Sequence, residues 1–368
     1  MRRVTTAIMS DLHLGSASGL DLARRPEPLS RLLDVASAAD RIVFLGDLLE
    51  LREHPAAAVL DDIAPVLRRI GEATAGKQVV VAPGNHDYPL VGPALERARL
   101  VSGGGLPLDG LYRPEPGELA GRVAALMPDS ELVIAYPGIR LRDDVYAMHG
   151  HYLDVHLTVP RIECLIAAAI ERYASGIGPA GPTAPEHYEA ILSPIYSVAH
   201  AFAQNARAGS VTRGNSLSRT VWSTATGNGG GAAKLKRTLV GRAAIPTAVA
   251  AINAAGLGPF NSDISAQELR RAGLRAMGDV VERLGIDADY VIFGHTHRAG
   301  PLEGDADEWR LTDGTQLVNS GTWIHEDVFV DGDGQSNPYW PGRVVLLDES
   351  GPPKLTTVLD AIPPTLGS

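Results

Sequence analysis

An α/β fold is predicted by three observations. Short runs of Val, Ile, Leu and Phe at residues 4–9, 41–45, 78–82, 145–148, 290–293 and 316–319 show little alternation. Strands buried on both faces of a layered structure read this way. Between the early runs lie helical patterns at residues 29–39 and 56–75, which suit crossover connections packed on a sheet. Each of the first five runs also ends where a short polar motif begins, so the motif residues should gather at one edge.

Taken in order, the runs lead into Asp11-Leu12-His13, Gly46-Asp47, Gly84-Asn85-His86-Asp87, His149-Gly150-His151 and Gly294-His295-Thr296-His297. Aspartate, asparagine and neutral imidazole suit borderline or hard divalent ions, and no thiolate competes. Manganese, iron or zinc therefore fits better than an iron–sulfur cluster or copper(I). There are enough donors for two ions, and the chemistry they suggest is metal-assisted hydrolysis. A glycine adjoins the proposed ligands in four of the motifs, where a missing Cβ lets the backbone turn or lie close to the ions.

Residues 156–285 separate the fourth motif from the fifth. They carry helical patterns at 161–173, 188–206 and 265–284, the second interrupted by Pro194, with glycine-rich breakers at 176–182 and 227–231. A segment inserted between two motifs of one site must leave and return near it. The expectation is a core of residues 1–155 and 286–368 with a mainly helical insertion or cap at 156–285. Its Ala, Leu and Ile content would offer an apolar wall to a substrate with a greasy group. Packing of these helices on one another, or on a second subunit in a homo-oligomer, is the plainer reading. Lys234, Lys236, Arg237 and Arg242 form the most basic local stretch. It suits phosphate or anionic headgroups at a peripheral membrane contact, or simply a solvated face.

The formal net charge of −10 over 368 residues argues against a broad nucleic-acid surface and a stable nucleic-acid complex. The single cysteine, Cys164, excludes an intramolecular disulfide and reads as a buried structural thiol. The apolar run after Met1-Arg2-Arg3 is too short for an export signal, and none reaches the roughly 18 residues of a membrane span. A cytoplasmic protein is expected. His54, His156, His187, His200 and His325 read as surface or hydrogen-bonded core histidines, and Arg52 and Glu53 as cleft-lining residues or a solvated pair.

The five motifs, in this order, resemble the blocks of the calcineurin-like metallophosphoesterase superfamily. The segments Ser10-Asp11-Leu12-His13-Leu14-Gly15 and Gly46-Asp47-Leu48-Leu49-Glu50 look most like its bacterial phosphodiesterase and UDP-2,3-diacylglucosamine pyrophosphohydrolase branch. Asp87 stands where the Ser/Thr protein phosphatases have glutamate. His151 stands where the pyrophosphohydrolases usually have aspartate, and their insertion is shorter, so the lipid-precursor substrate is not carried over. The resemblance implies a four-layer αββα sandwich of two mixed sheets. It also implies two divalent ions, manganese or iron ahead of zinc.

By the same resemblance Asp11, His13 and His297 would hold one ion, and Asn85, His149 and His295 the other. Asp47 would bridge them beside a bridging hydroxide that attacks phosphorus. His86 would protonate the leaving oxygen and Asp87 would orient His86. His149 is favoured over His151 as ligand, leaving His151 to support it or to touch substrate. Arg298 would bind a substrate phosphate or act as a structural arginine. The expected activity is hydrolysis of a small phosphodiester or pyrophosphate, with phosphomonoesters behind. The alternatives are a non-catalytic metal-binding scaffold, or a nuclease or cyclic-nucleotide phosphodiesterase.

Overall fold

The computed structural model describes residues 6–103, 105–205, 245–261, 263, 266–326, 329–330 and 334–361. The chain divides into two compact units. The first comprises Met1–His151, Ala199–Val211 and Ile286–Ser368, the second Tyr152–Val198 and Thr212–Gly285.

The first unit holds the strands β1 (Thr6–Met9), β2 (Arg41–Phe44), β3 (Gln78–Val81), β4 (Asp109–Tyr112), β5 (Glu131–Arg142), β6 (Val145–Met148), β7 (Tyr290–Phe293), β8 (Gln316–Asn319), β9 (Arg343–Leu347) and β10 (Lys354–Thr357). Six coincide with the expected apolar runs to within a residue or two, residues 4 and 5 lying outside the described residues. The other four, β4, β5, β9 and β10, were not legible. β4 and β10 are largely exposed or half-buried and offer no continuous apolar run.

β1, β2, β3 and β5 pair in parallel, with Ile8 beside Val43 and Val43 beside Val80. β9 adds antiparallel to β1, β10 to β9, and β4 to β5. The long β5 is shared between two ladders: Glu131 to Ile134 face β3, whereas Gly138 to Arg142 face β6 across an irregularity at Arg140/Arg142. β7 and β8 continue from β6 in parallel. The sheet structure is therefore mixed, and the fold is α/β.

One buried cluster draws on both ladders. Ile8, Val43, Val80, Ala135, Val145, Ile292, Val318 and Val345 all contribute to it. Val43 with Leu45, Val80 with Ala82, and Val145 with Ala147 are two residues apart, the spacing of one face of a strand. The opposite faces are buried too, as Ile42, Phe44, Val79 and Val81 show. That double burial accounts for the unalternating runs. The helices α1 (Pro26–Ala38) and α2 (Ala56–Ala73) fill the two early crossovers. α2 buries Val59, Leu60, Ile63, Leu67 and Ile70, an apolar stripe at helical spacing. α3 (Gly92–Ser102) and α4 (Leu119–Ala124) follow β3.

The second unit is helical. It contains α5 (Ile162–Tyr173), most of α6 (Pro185–Gln204), α7 (Ile245–Ala254) and α8 (Ala266–Leu284). α6 runs through Pro194, correcting the expected interruption. Tyr188, Ile191, Leu192 and Tyr196 are buried on both sides of the proline, and that packing outweighs the lost backbone hydrogen bond. Tyr152 stacks on Tyr188 at 4.5 Å and its hydroxyl donates to Glu189 at 2.8 Å. His156 lies 2.7 Å from the Tyr188 hydroxyl, and burial lowers its imidazole to about 4. Cys164 is buried, and burial pushes its thiol well above its ordinary value. The basic stretch at 234–242, the glycine tract at 227–231, Ala206 and Ser265 lie outside the described residues. Among the described residues no helix is long and apolar enough to cross a membrane.

Candidate metal centre

The motifs occupy the loops at the carboxyl ends of β1, β2, β3, β6 and β7, the edge of a parallel sheet where ligands collect. Backbone bonds carry the strand pairing into these loops. Asp11 N donates to Gly46 O at 3.0 Å, His13 N to Asp47 O at 2.8 Å, and Gly294 N to His149 O at 2.9 Å. The side chains of neighbouring loops are thereby brought into register.

Among the described residues, the non-glycine residues with positive φ are Asp11, His13, Asp47, His295 and His297, at 45° to 66°. All five are proposed ligands. A left-handed conformation costs a non-glycine residue on the order of 1–3 kcal/mol and persists where the surroundings enforce it, commonly at functional sites. Two glycines permit the close approach of the loops. A Cβ on Gly46 would lie 2.0 Å from His149 Nδ1, and one on Gly84 would lie 2.3 Å from Asp47 Oδ1.

Three groups of metal-binding type form around this edge among the described residues: Asp11 with His13 and His297, Asp47 with His149 and His295, and His13 with Glu50 and His86. In the first, His13 Nε2 faces His297 Nε2 at 3.2 Å, and His297 Nε2 faces Asp11 Oδ1 at 3.2 Å. In the second, His149 Nε2 lies 3.2 Å from Asp47 Oδ2, with its Nδ1 on Leu45 O at 2.9 Å. The side-chain oxygen of Asn85 lies 3.2 Å from His295 Nδ1. Asp47 Oδ2 is also 3.7 Å from His13 Nε2, so it faces the first group as well as its own.

The donors fit divalent cations. Spacings of ~3 Å are the edge lengths of a coordination polyhedron with bonds of ~2.1 Å. The buried Asp11 Oδ1 has no hydrogen-bond donor, an orphan that a cation would satisfy. Asn85 adds a third sign. Hydrogen bonding alone favours its amide nitrogen toward His295 Nδ1 and Asp47 Oδ2, with its oxygen toward Arg52 Nη1. Coordinating a cation requires the opposite orientation, with oxygen inward among the other acceptors.

The electrostatics agree. Burial opposes the charge on Asp47, yet His149, His86 and His13 hold its carboxyl well below the usual range. Burial likewise opposes charge on His13, but the bond to Glu50 and the charges of Asp47, Glu50 and Asp11 raise it to about 10. His149 rises to about 9, burial again opposing and Asp47 prevailing. A site that draws protons onto its imidazoles has a negative field suited to dications.

One expectation needs correcting. Asp87 does not orient His86. It is fully buried and accepts the backbone N–H groups of Gly84 at 2.7 Å, Leu48 at 2.8 Å and Leu49 at 3.3 Å, so it ties the second motif to the third. Burial and the nearby Asp47 raise its carboxyl to about 7. Glu50 holds His86 instead: its Oε2 is 2.6 Å from His86 Nδ1 and 3.2 Å from His13 Nδ1. His149, not His151, meets Asp47. His151 is fully buried with its Nε2 3.0 Å from the Tyr136 hydroxyl and its ring 5.6 Å from that of His149.

Arg298 Nη2 lies 3.5 Å from Asp305 Oδ2, and its guanidinium lies 5.4 Å from the Trp309 ring centre. The arginine that reaches the motifs is Arg52, whose Nη1 is 3.5 Å from His86 Nε2. Glu53 accepts Ala17 N at 2.8 Å and so belongs to the loop after the first motif. Reading the sequence also missed Ser10, Ser320 and Asn319. Asn319 Nδ2 donates to Gly294 O at 2.8 Å and Thr296 Oγ1 at 3.0 Å, bracing the fifth motif. The available signal was the polar sequence Asn319-Ser320-Gly321-Thr322 at the end of an apolar run.

The calcineurin-like phosphoesterase family model matches residues 4–168, which include the first four motifs. No curated protein matches the chain. Among solved structures, a dimetal phosphatase from Danio rerio aligns with 11% identity over 95% of this chain and 94% of its own, at a TM-score of 0.32. Over residues 4–168 the chain is similar to the calcineurin-like phosphoesterases, and the activity this likeness supports is that of a metal-dependent phosphoester hydrolase.

Proposed function

We propose that the protein hydrolyses a small phosphodiester or pyrophosphate at a centre of two divalent ions. Manganese or iron suits the oxygen and imidazole donors best, with zinc behind them. Asp11, His13 and His297 would hold one ion, Asn85, His149 and His295 the other, and Asp47 both. The observation that carries this reading is the position of Asp47 Oδ2, 3.2 Å from His149 Nε2 and 3.7 Å from His13 Nε2. When bound, the ions supply an acidified water and draw charge from the phosphoryl oxygens.

The protein's own groups would do the rest. With the Asn85 oxygen turned to an ion, its amide nitrogen faces Arg52 Nη1 at 3.1 Å. Two donors that converge call for a shared acceptor, and a phosphoryl oxygen supplies one. His86, held at Nδ1 by Glu50, presents Nε2 on the same side, where a proton can pass to the leaving oxygen. Glu50 also fixes the His13 tautomer so that Nε2 keeps its lone pair for the ion, as carboxylates commonly do behind metal-bound histidines.

The same reading carries the finer architecture. The shared cluster of both ladders supports a four-layer αββα sandwich for residues 1–155 and 286–368. Residues 156–285 would form a mainly helical insertion or cap, and a cytoplasmic setting suits the lone buried cysteine.

Metal content of the purified protein, measured together with hydrolysis of bis-nitrophenyl phosphate and nitrophenyl phosphate with and without added Mn2+, tests the proposal. Two ions per chain and Mn2+-dependent cleavage with the diester ahead are expected. Two ions with no hydrolysis of either ester would overturn it.

A further inference from the structure

Asp11 is gripped from one side only. Its Oδ2 receives the Ser10 hydroxyl at 2.5 Å and the backbone N–H of His295 at 3.1 Å. Its Oδ1 has no hydrogen-bond donor and faces His297 Nε2 at 3.2 Å and His13 Nε2 at 4.0 Å. Behind Ser10, the Ser320 hydroxyl lies 2.7 Å away. Ser10, Asp11 and Ser320 are fully buried, so bulk water does not compete for these groups.

Each hydroxyl has a single proton to give. Ser10 could donate to Asp11 Oδ2 at 2.5 Å or to Gly321 O at 3.2 Å. The shorter, charge-assisted bond wins. Ser10 Oγ is then an acceptor, and the Ser320 proton turns to it at 2.7 Å in preference to Phe293 O at 3.1 Å. The result is a directed chain from Ser320 through Ser10 to Asp11, each bond polarising the next. It spans the ends of β1 and β8, 310 residues apart in sequence.

Resting on the dinuclear reading above, we propose that Ser10 and Ser320 are positioning residues that commit Asp11 to its ion through Oδ1 alone. With Oδ2 occupied by two donors, the carboxylate cannot turn to offer both oxygens. A single-oxygen ligand suits a compact transition-metal shell. Ca2+ takes six to eight oxygens, often from bidentate carboxylates, and is disfavoured. The serines thus set metal choice as well as affinity.

The test is Mn2+ and Ca2+ titration of the full-length protein against a competing chelator dye, for wild type, Ser10→Ala and Ser320→Ala. For Ser10→Ala one of the two Mn2+ affinities should fall about 10- to 100-fold, the usual effect of removing a group behind a ligand. The other affinity should hold, and the Mn2+/Ca2+ affinity ratio should drop. Ser320→Ala should move the same site in the same direction by a smaller factor. A purely structural role would weaken both ions alike and leave the ratio unchanged. Thermal melting of the chelator-treated variants identifies one that does not fold, and the other serine variant then decides. Two wild-type Mn2+ sites with unchanged or evenly weakened binding in the folded variants would overturn this proposal alone. A wild-type protein that takes up no Mn2+ would overturn the dinuclear reading and this proposal with it.

Discussion

Glu50 Oε2 sits 2.6 Å from His86 Nδ1, while Asp87, next to His86 in sequence, spends its carboxylate on backbone N–H groups, Gly84 in its own loop and Leu48 and Leu49 in another. Neighbours in sequence are thus not partners in space, and the two carboxylates should fail differently when altered. Glu50→Gln should lower kcat about 10- to 100-fold with KM little changed, since the imidazole loses its anionic anchor. Asp87→Asn should chiefly lower the melting temperature, because the amide places a donor against backbone donors. Steady-state kinetics on a nitrophenyl diester with thermal melts separates the two. Equal kcat losses without a stability difference would contradict the assignment.

His86→Ala should retain both ions and lose about 10²- to 10⁴-fold in kcat, the range for removing a general acid. Asp47→Asn should lose metal as well as activity, because its carboxylate faces both ligand groups. Elemental analysis beside kinetics checks the pair. A metal-free Asp47→Asn protein with full activity would refute the mechanism.

His13 and His149 stand raised to about 10 and about 9 from an ordinary value of 6.5. Their contribution to folding is complete below pH about 6.5 and is lost as pH rises through the raised values. Asp11, Asp47 and Glu50 are lowered, so their contribution is present at neutral pH and lost only in acid. Cations take neutral imidazole, so binding releases protons and strengthens with pH over the same window. Chelator-treated protein should therefore melt at a falling temperature between pH 6.5 and 10, and Mn2+ added in weak buffer at pH 7 should acidify the solution. Uptake of Mn2+ without proton release would contradict this account.

Gly46→Ala should destabilise the protein by at least about 1–3 kcal/mol, the ordinary penalty for overpacking. Its φ of 87° adds strain, and its Cβ would meet the His149 ring. Denaturant unfolding measures the loss, and a variant as stable as wild type would show that His149 can move aside.

The residues that gather at this edge were legible because each lies in a short motif at the end of an apolar run, and burial on both strand faces makes such runs conspicuous. Glu50 was not, since its role exists only once loops 36 residues apart bring His86 to it. Ser10 and Ser320 are more remote still. Arg298 and His151 look functional beside their motifs, but Arg298 lies over the face of Trp309 and His151 meets the Tyr136 hydroxyl, neither partner being part of the motifs. Adjacency in sequence fixes where a side chain starts, and tertiary packing decides which neighbour it meets.

β6 and β7 are hydrogen-bonded parallel neighbours, with Val145 beside Tyr290, although the helical segment lies between them in sequence. A crossover must join parallel strands in any case, and here it has become a separate compact unit. Because the ladder pins both ends of that crossover, its length can change for a small and slowly growing loop-closure cost without disturbing the loops of the fourth and fifth motifs. The length of the middle segment is thereby uncoupled from the loops that carry His149 and His295.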